Sequence, residues 1–238
     1  SDTYVAFVGR TYRKDIVDTI RSAWTIGNLD RLLLNSVLVA VAVTCGVILT
    51  SLLSAYAFAF LDFPLKKVVF AMFLATMLVP AEVTVLINYN TADSLGWVNT
   101  YQGLIVPSLA SMFGVFLVRQ VFLQVPGELR EAAALDGLGH WRFLWSVATP
   151  LSRPTLGALG LFVFLGTWNA YLWPSQVITD EDHRTIQIGL EHLKTPNDIS
   201  KLNLITGGLV VAAVPIFVML VIFQRQLVRG LTAGAVKG

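Results

Sequence analysis

Charge is the first thing this chain is short of. Only 13% of its 238 residues are Asp, Glu, Lys or Arg, against about a quarter in a water-soluble domain. A surface this poor in charge excludes a chain kept in solution by its own polar shell. The 17 basic and 15 acidic residues leave a net charge of +2. That is too small to argue for nucleic acid, and no basic–aromatic binding pattern makes up for it. Cysteine is nearly absent too. Cys45 alone excludes an internal disulfide, and in its apolar run it reads as a small buried hydrophobe. His140, His183 and His192 are scattered, with no H-E-x-x-H pair to hold zinc. There is no G-x-x-x-x-G-K-[ST] loop to cradle ATP phosphates. No G-x-S-x-G turn presents a nucleophile, and no strong internal repeat of the secondary-transporter kind is visible. Ser1 opens no signal-peptide pattern. Covalent chemistry has no candidate residues.

What the chain has is apolar length. It is 55% hydrophobic with a mean hydropathy of +0.68, and its charges cluster between runs long enough for a bilayer, which takes about 20 residues. Five spans are expected, at about Leu32–Phe60, Val68–Asn88, Gln102–Leu123, Thr155–Trp173 and Leu204–Phe223. Pro80, Pro107 and Pro215 lie inside them, which membrane helices tolerate when neighbours or a cavity satisfy the freed backbone. An all-α, polytopic bundle is the fold this implies. Alternation across five spans gathers Lys66, Lys67, Arg119, Arg130, Arg142, Arg153, Arg225, Arg229 and Lys237 on one side. Loops of the other side carry Arg184, Lys194 and Lys201, so the richer side is cytoplasmic. Residues 1–31 then form an extracytoplasmic segment ahead of the transmembrane domain, 32–238. Their own basic residues, Arg10, Arg13, Lys14, Arg21 and Arg31, disagree with that side. A further span upstream of Ser1 would reconcile them.

One cytoplasmic stretch, residues 129–154, differs from its surroundings: LREAAALDGLGHWRFLWSVATPLSRP. Pro126 and Gly127 lead into a short helix, Glu128–Leu135, which Gly137 and Gly139 break, since glycine accepts the left-handed conformation. A second helix, about His140–Ala148, places Trp141, Leu144, Trp145 and Ala148 at i, i+3, i+4 and i+7 on one face. Pro150 and Pro154 are expected to stop it. Two readings stay open from the residues alone. The tryptophans rest in the headgroup layer of a re-entry elbow, or they anchor the helix in a groove of a soluble partner.

The stretch resembles the EAA loop of ABC-importer permeases, E-A-A-x-x-x-G followed by an apolar close and proline. Glu131, Ala132, Ala133, Gly137 and Pro150 supply it here, with Val147 and Thr149 as departures in the closing part. The tail, Gly230-Leu231-Thr232-Ala233-Gly234-Ala235-Val236-Lys237-Gly238, is similar to that of carbohydrate-type permeases such as the second maltose permease subunit. By itself such a tail could equally be a frayed end. The resemblance covers about Leu32–Gly238 and implies the type I ABC-importer permease fold, with a sixth span upstream. It implies a coupling loop at about 125–153 in which Glu131, Ala132, Ala133, Asp136, Gly137, Trp141, Trp145 and Pro150 meet an ATPase. Gly230, Thr232, Gly234 and Lys237, in the tail 224–238, would touch the same partner. The implied partners are a homologous second permease, two ATPase subunits and an extracytoplasmic substrate-binding protein in a bacterial inner membrane. ATP and magnesium would sit on the ATPase, with no cofactor on this chain.

The run Trp168-Asn169-Ala170-Tyr171-Leu172-Trp173-Pro174, then Ile178-Thr179-Asp180, resembles the glycerol-3-phosphate and glycerophosphodiester branch of those permeases. A small polar solute of that kind, or a sugar, is the implied cargo. Amides suit hydroxyls and ring faces suit C–H surfaces, so Trp168, Asn169 and Tyr171 are cavity candidates as well as packing candidates. Trp173 reads as part of an outer aromatic belt. Glu82 is a charge well inside the second span, placed to line a cavity or gate, or to pair with the second permease. Two other classes compete: an ion-coupled secondary transporter, for which Glu82 alone is available, and a membrane scaffold that transports nothing.

Overall fold

The computed structural model describes residues 18–25, 27–192 and 199–232. Among them the chain is helix and connecting turn, without a strand. Where water is excluded, a helix satisfies each backbone polar group within its own segment. Its axis is α1 (Leu29–Phe60), entered through Asn28 in the left-handed conformation, φ 47°. Thirty-two residues rise about 48 Å at 1.5 Å per residue, more than the ~30 Å hydrocarbon core. Its inner face buries Val39, Val43 and Val47, then Leu52, Ala55 and Tyr56. Cys45 lies on the exposed side, contrary to the buried place expected for it. The run around it is apolar on all sides, so sequence alone does not say which face meets the core.

The expected second span is broken. Its residues form α2 (Lys66–Thr76) and α3 (Ala81–Ser94), parted at Met77–Pro80. Pro80 has no N–H to give and disfavours helical backbone at Val79, so α2 stops before it and α3 starts behind it. The third is also bent. After α4 (Tyr101–Ile105) comes a tight turn, Val106–Ser108, containing Pro107, and then α5 (Met112–Phe122) at 42°. Ser111 restarts the helix by accepting from the Gly114 N–H, 3.2 Å. Gly114 also lets α5 cross close over α1, because a Cβ there would run into the Ser51 hydroxyl.

A hairpin follows: α6 (Gly127–Leu135), then α7 (His140–Phe143), which continues through a wide π turn, Leu144–Ala148, to Leu151. Pro150 does not stop it. The π turn ahead of the proline re-registers the backbone bonds, which is how such turns absorb a residue the α ladder cannot use. The break comes at Ser152, whose hydroxyl donates to the Ala148 carbonyl at 2.8 Å. There the chain turns 79° into α8 (Arg153–Trp168), with Pro154 in its first turn, where no N–H is missed. The short α9 (Leu172–Val177) and α10 (Ile186–His192) precede α11 (Ile199–Thr232).

In space α5 and α8 flank α1, and α11 runs along α8. By length and composition Leu29–Phe60 and Ile205–Phe223 are each able to cross a membrane; the bent pairs α4–α5 and His140–Leu151 with α8 raise the number to four. Of the expected tail contacts, Gly234 and Lys237 lie outside the described residues. For Gly230 and Thr232 only the helical backbone of α11 is described.

Candidate functional site

The hairpin is closed by backbone geometry. Gly137 takes φ 73°; its N–H donates to the Ala134 carbonyl at 3.0 Å, and the Leu138 N–H reaches back to Ala133 at 2.9 Å. This double bond pattern satisfies the end of α6 and needs a residue without Cβ strain at position 137. Ala133 faces inward, in the cluster of Tyr56, Phe122 and Phe143. Glu131, Ala132 and Asp136 face outward, and Leu135 is 90% exposed.

The stripe expected along the second helix does not fill one face. Phe143, Leu144 and Ala148 are buried, whereas Trp141 and Trp145 point outward, edge to face, with ring centroids 5.8 Å apart. Phe143 sets this rotation, since its ring meets Phe60 at 5.5 Å and Tyr56 at 6.5 Å in the core. An arm thus projects from the bundle with Glu131, Asp136, Leu135 and the Trp141–Trp145 pair exposed. Behind it a cleft of ≈ 370 Å³ lies between α1 and the hairpin, lined by Tyr56, Phe60, Arg130, Glu131, His140 and Phe143. Tyr56 and His140 close its inner wall through a 2.9 Å hydrogen bond between the phenol oxygen and Nδ1. Nearby, Arg119 ties α5 to the end of α1 by donating to the Phe58 carbonyl at 3.2 Å, its guanidinium 4.2 Å above the Phe70 ring.

A second polar constellation, at the opposite end of α1, escaped the sequence reading. Asn35, 2% exposed, donates to the carbonyls of Asp182 (2.8 Å) and Arg184 (2.9 Å) and accepts from the Tyr101 hydroxyl (2.8 Å). Ser36 accepts from the Ile186 N–H at 2.7 Å. Asn99, at φ 57°, accepts from the N–H groups of Thr179 (2.6 Å) and Asp180 (3.1 Å). Asp180 pairs with His183 at 2.7 Å, and Arg31 with Asp182 at 2.7 Å. Segment 178–186 is thereby stitched across α1 and the start of α4. The signal was the polar pair Asn35-Ser36 inside an apolar run.

The cavity candidates scatter. Of the two roles open for Trp168, its surroundings fill packing: it is 1% exposed, stacks on Phe164 at 5.8 Å and donates its indole N–H to the Ala212 carbonyl at 3.2 Å. Pro215 in α11 has no N–H to give the Val211 carbonyl, the residue just before the one that accepts the indole. Asn169 is exposed but spends its amide on the Leu165 carbonyl, 2.8 Å, ending α8. Tyr171 is 46% exposed. Trp173 is not a free belt residue; its indole donates to the Gly103 carbonyl at 2.9 Å. Glu82 sits not within a continuous span but at its break, exposed in the first turn of α3. A groove of ≈ 460 Å³ between α1, α2 and the α4–α5 bend carries hydroxyls from Thr50, Ser54, Thr76 and Ser111 among apolar walls.

An outward arm with the E-A-A and Gly137 geometry, set between bundle helices, matches one family along most of the chain. Residues 42–232 fit the binding-protein-dependent transport system inner membrane component. The chain belongs to that family. The permease is 40% identical to the sn-glycerol-3-phosphate transport system permease protein UgpE of Brucella abortus (strain 2308), over 86% of this chain and 73% of the relative. The protein of the same name from Agrobacterium fabrum is also 40% identical over the same shares. That of Shigella flexneri serotype 5b is 34% identical over 96% of this chain and 89% of its own length. In fold the permease is similar to a bacterial ABC transporter involved in the import of the acidic polysaccharide alginate. The TM-score is 0.78 at 18% identity, over 87% of this chain and 78% of that one. It is thus an inner-membrane transport component with the ABC-importer permease fold.

Proposed function

We propose that this permease carries glycerol 3-phosphate, or a closely related glycerol phosphodiester, across the inner membrane by alternating access driven by a separate ATPase. The carrying observation is the hairpin: Glu131, Leu135, Asp136, Trp141 and Trp145 project, exposed, from an arm whose inner face is packed into the bundle. A chain without a phosphate-binding loop of its own needs such a handle. Aromatic side chains are among the residues that concentrate binding energy at interfaces. Ala132 and Ala133 keep the arm slim, Gly137 turns it, and Pro150 leads it back towards α8.

In this reading two ATPase subunits grip the hairpins of this chain and of a homologous second permease, and the tail from Gly230 to Lys237 reaches the same partners. Five spans cross the bilayer: α1, α2 with α3, α4 with α5, α8, and α11, a sixth preceding Ser1. The hairpin then faces the cytoplasm, and segment 178–186 faces the substrate-binding protein. The solute assignment draws on the names of relatives 34–40% identical and on the Trp168–Pro174 run. Asn169 and Tyr171, at the open end of α8, line the solute path. Glu82 faces the cavity or the second permease, because a carboxylate turned to lipid is costly. Its charge repels phosphate and favours the glycerol hydroxyls.

A thermal-shift screen of the cognate binding protein tests the solute. Glycerol 3-phosphate or a glycerophosphodiester is expected to raise its melting temperature more than any oligosaccharide. A response to oligosaccharides alone overturns the assignment.

A further inference from the structure

We infer that Tyr56 and His140 are positioning residues that carry hairpin movement into α1, which acts as a rod ending in segment 178–186. The inference rests on the importer reading above. Among the described residues, and apart from the local Ser152–Ala148 bond at its exit, the Tyr56–His140 bond is the one side-chain hydrogen bond joining residues 127–151 to the rest of the chain. The remaining grip is apolar, through Ala133, Phe143, Leu144 and Ala148. Apolar burial is non-directional and lets surfaces slide, whereas a hydrogen bond weakens steeply as its angle closes. One directional link therefore fixes how the hairpin is turned against α1.

Its position suits transmission. His140 is the first residue of α7, immediately after Gly139 and three residues after the left-handed turn at Gly137. A push on the arm passes through this point. Tyr56 is 7% exposed and wedged by Phe60 at 5.1 Å and Phe122 at 6.5 Å, so its hydroxyl is held at the cleft. The same helix has polar ties at its far end, where Asn35 and Ser36 hold the backbone of Asp182, Arg184 and Ile186. Asn35 and Tyr56 are about 30 Å apart along the axis at 1.5 Å per residue.

The other long paths are interrupted. A break at Met77–Pro80 separates α2 from α3, α5 follows a 42° bend, α8 follows a 79° bend, and α11 contains Pro215. Among the described helices, α1 is the one that joins hairpin to far segment without break or proline.

The test uses the assembled complex in proteoliposomes with its binding protein, measuring labelled glycerol 3-phosphate taken up per ATP hydrolysed. Tyr56→Phe keeps the ring and removes the hydroxyl; His140→Leu removes the ring nitrogen; His140→Asn offers an amide, able to donate or accept, near the place of Nδ1. Tyr56→Phe and His140→Leu should each lower uptake per ATP about five-fold or more, the low end of a coupling energy between sites. The double variant should fall no further than either single one, and His140→Asn should retain most of the ratio. Unchanged ratios in both single variants overturn the inference while leaving the importer reading intact. So does a loss explained by reduced yield of assembled complex, which would assign the pair to packing. An unaltered complex without ATP-driven uptake overturns the importer reading and the inference with it.

Discussion

Trp168 shows how one side chain can look like a ligand contact and be a strut. Its indole joins α8 to the backbone of α11 at Ala212. Trp168→Phe, which keeps a ring but loses that bond, should cost about 1 kcal/mol, and Trp168→Ala about 3–5 kcal/mol through the cavity it leaves. Both are read as a lower melting temperature of the purified complex, with the KM for solute unchanged in the phenylalanine variant. A shifted solute preference would put Trp168 back in the path. Asn35 is the second case. Asn35→Leu leaves the part-buried Tyr101 hydroxyl and two carbonyls without their partner, a loss of about 1 kcal/mol or more. Limited proteolysis should then cut segment 178–186 faster. For Trp168 packing was one of two readings the sequence left open; the role of Asn35 was not legible. A tryptophan beside an asparagine reads the same whether it packs or binds, and Asn35-Ser36 is hidden in a run whose neighbours are all apolar. Gly137 was legible, because a glycine after a short helix answers a backbone need that sequence states directly.

At the scale of elements, the two glycines of the hairpin make opposite predictions. Gly137 is at φ 73°, while Gly139 is at φ −71° with open space around its Cα. Gly137→Val should strain the turn by about 1–2 kcal/mol and lower co-purification of the ATPase. Gly139→Ala should leave both co-purification and melting temperature near their starting values. Equal effects would mean that backbone conformation is not what shapes the arm. The hairpin was readable because its helix breakers and charges stand out against oily flanks. Two details were not. Pro150 was expected to end the second helix, but a π turn absorbs it, a choice made by packing of Phe143 and Leu144 against α1. The second span was expected to be continuous, but Pro80 divides it; hydropathy averages across such a break and cannot register it.

The whole molecule joins three things: a bundle organised on α1, an arm projecting from one end, and a polar seam closing the other. The helical bundle and its family were plain from composition and from the E-A-A stretch, because charge scarcity and clustered apolar runs admit few other folds. Which helices are bent, and what each polar residue inside them touches, depend on tertiary contacts that periodicity does not encode. The central claim is that the arm makes transport depend on a separate ATPase. It is tested most directly by ATP-driven uptake of labelled glycerol 3-phosphate into proteoliposomes containing both permeases and the ATPase, with binding protein outside the face that receives solute. The expected result is uptake that needs ATP and is abolished by Glu131→Lys with Gly137→Val, although the altered permease still inserts. Uptake that persists in that variant, or that runs on an ion gradient without the ATPase, would contradict it.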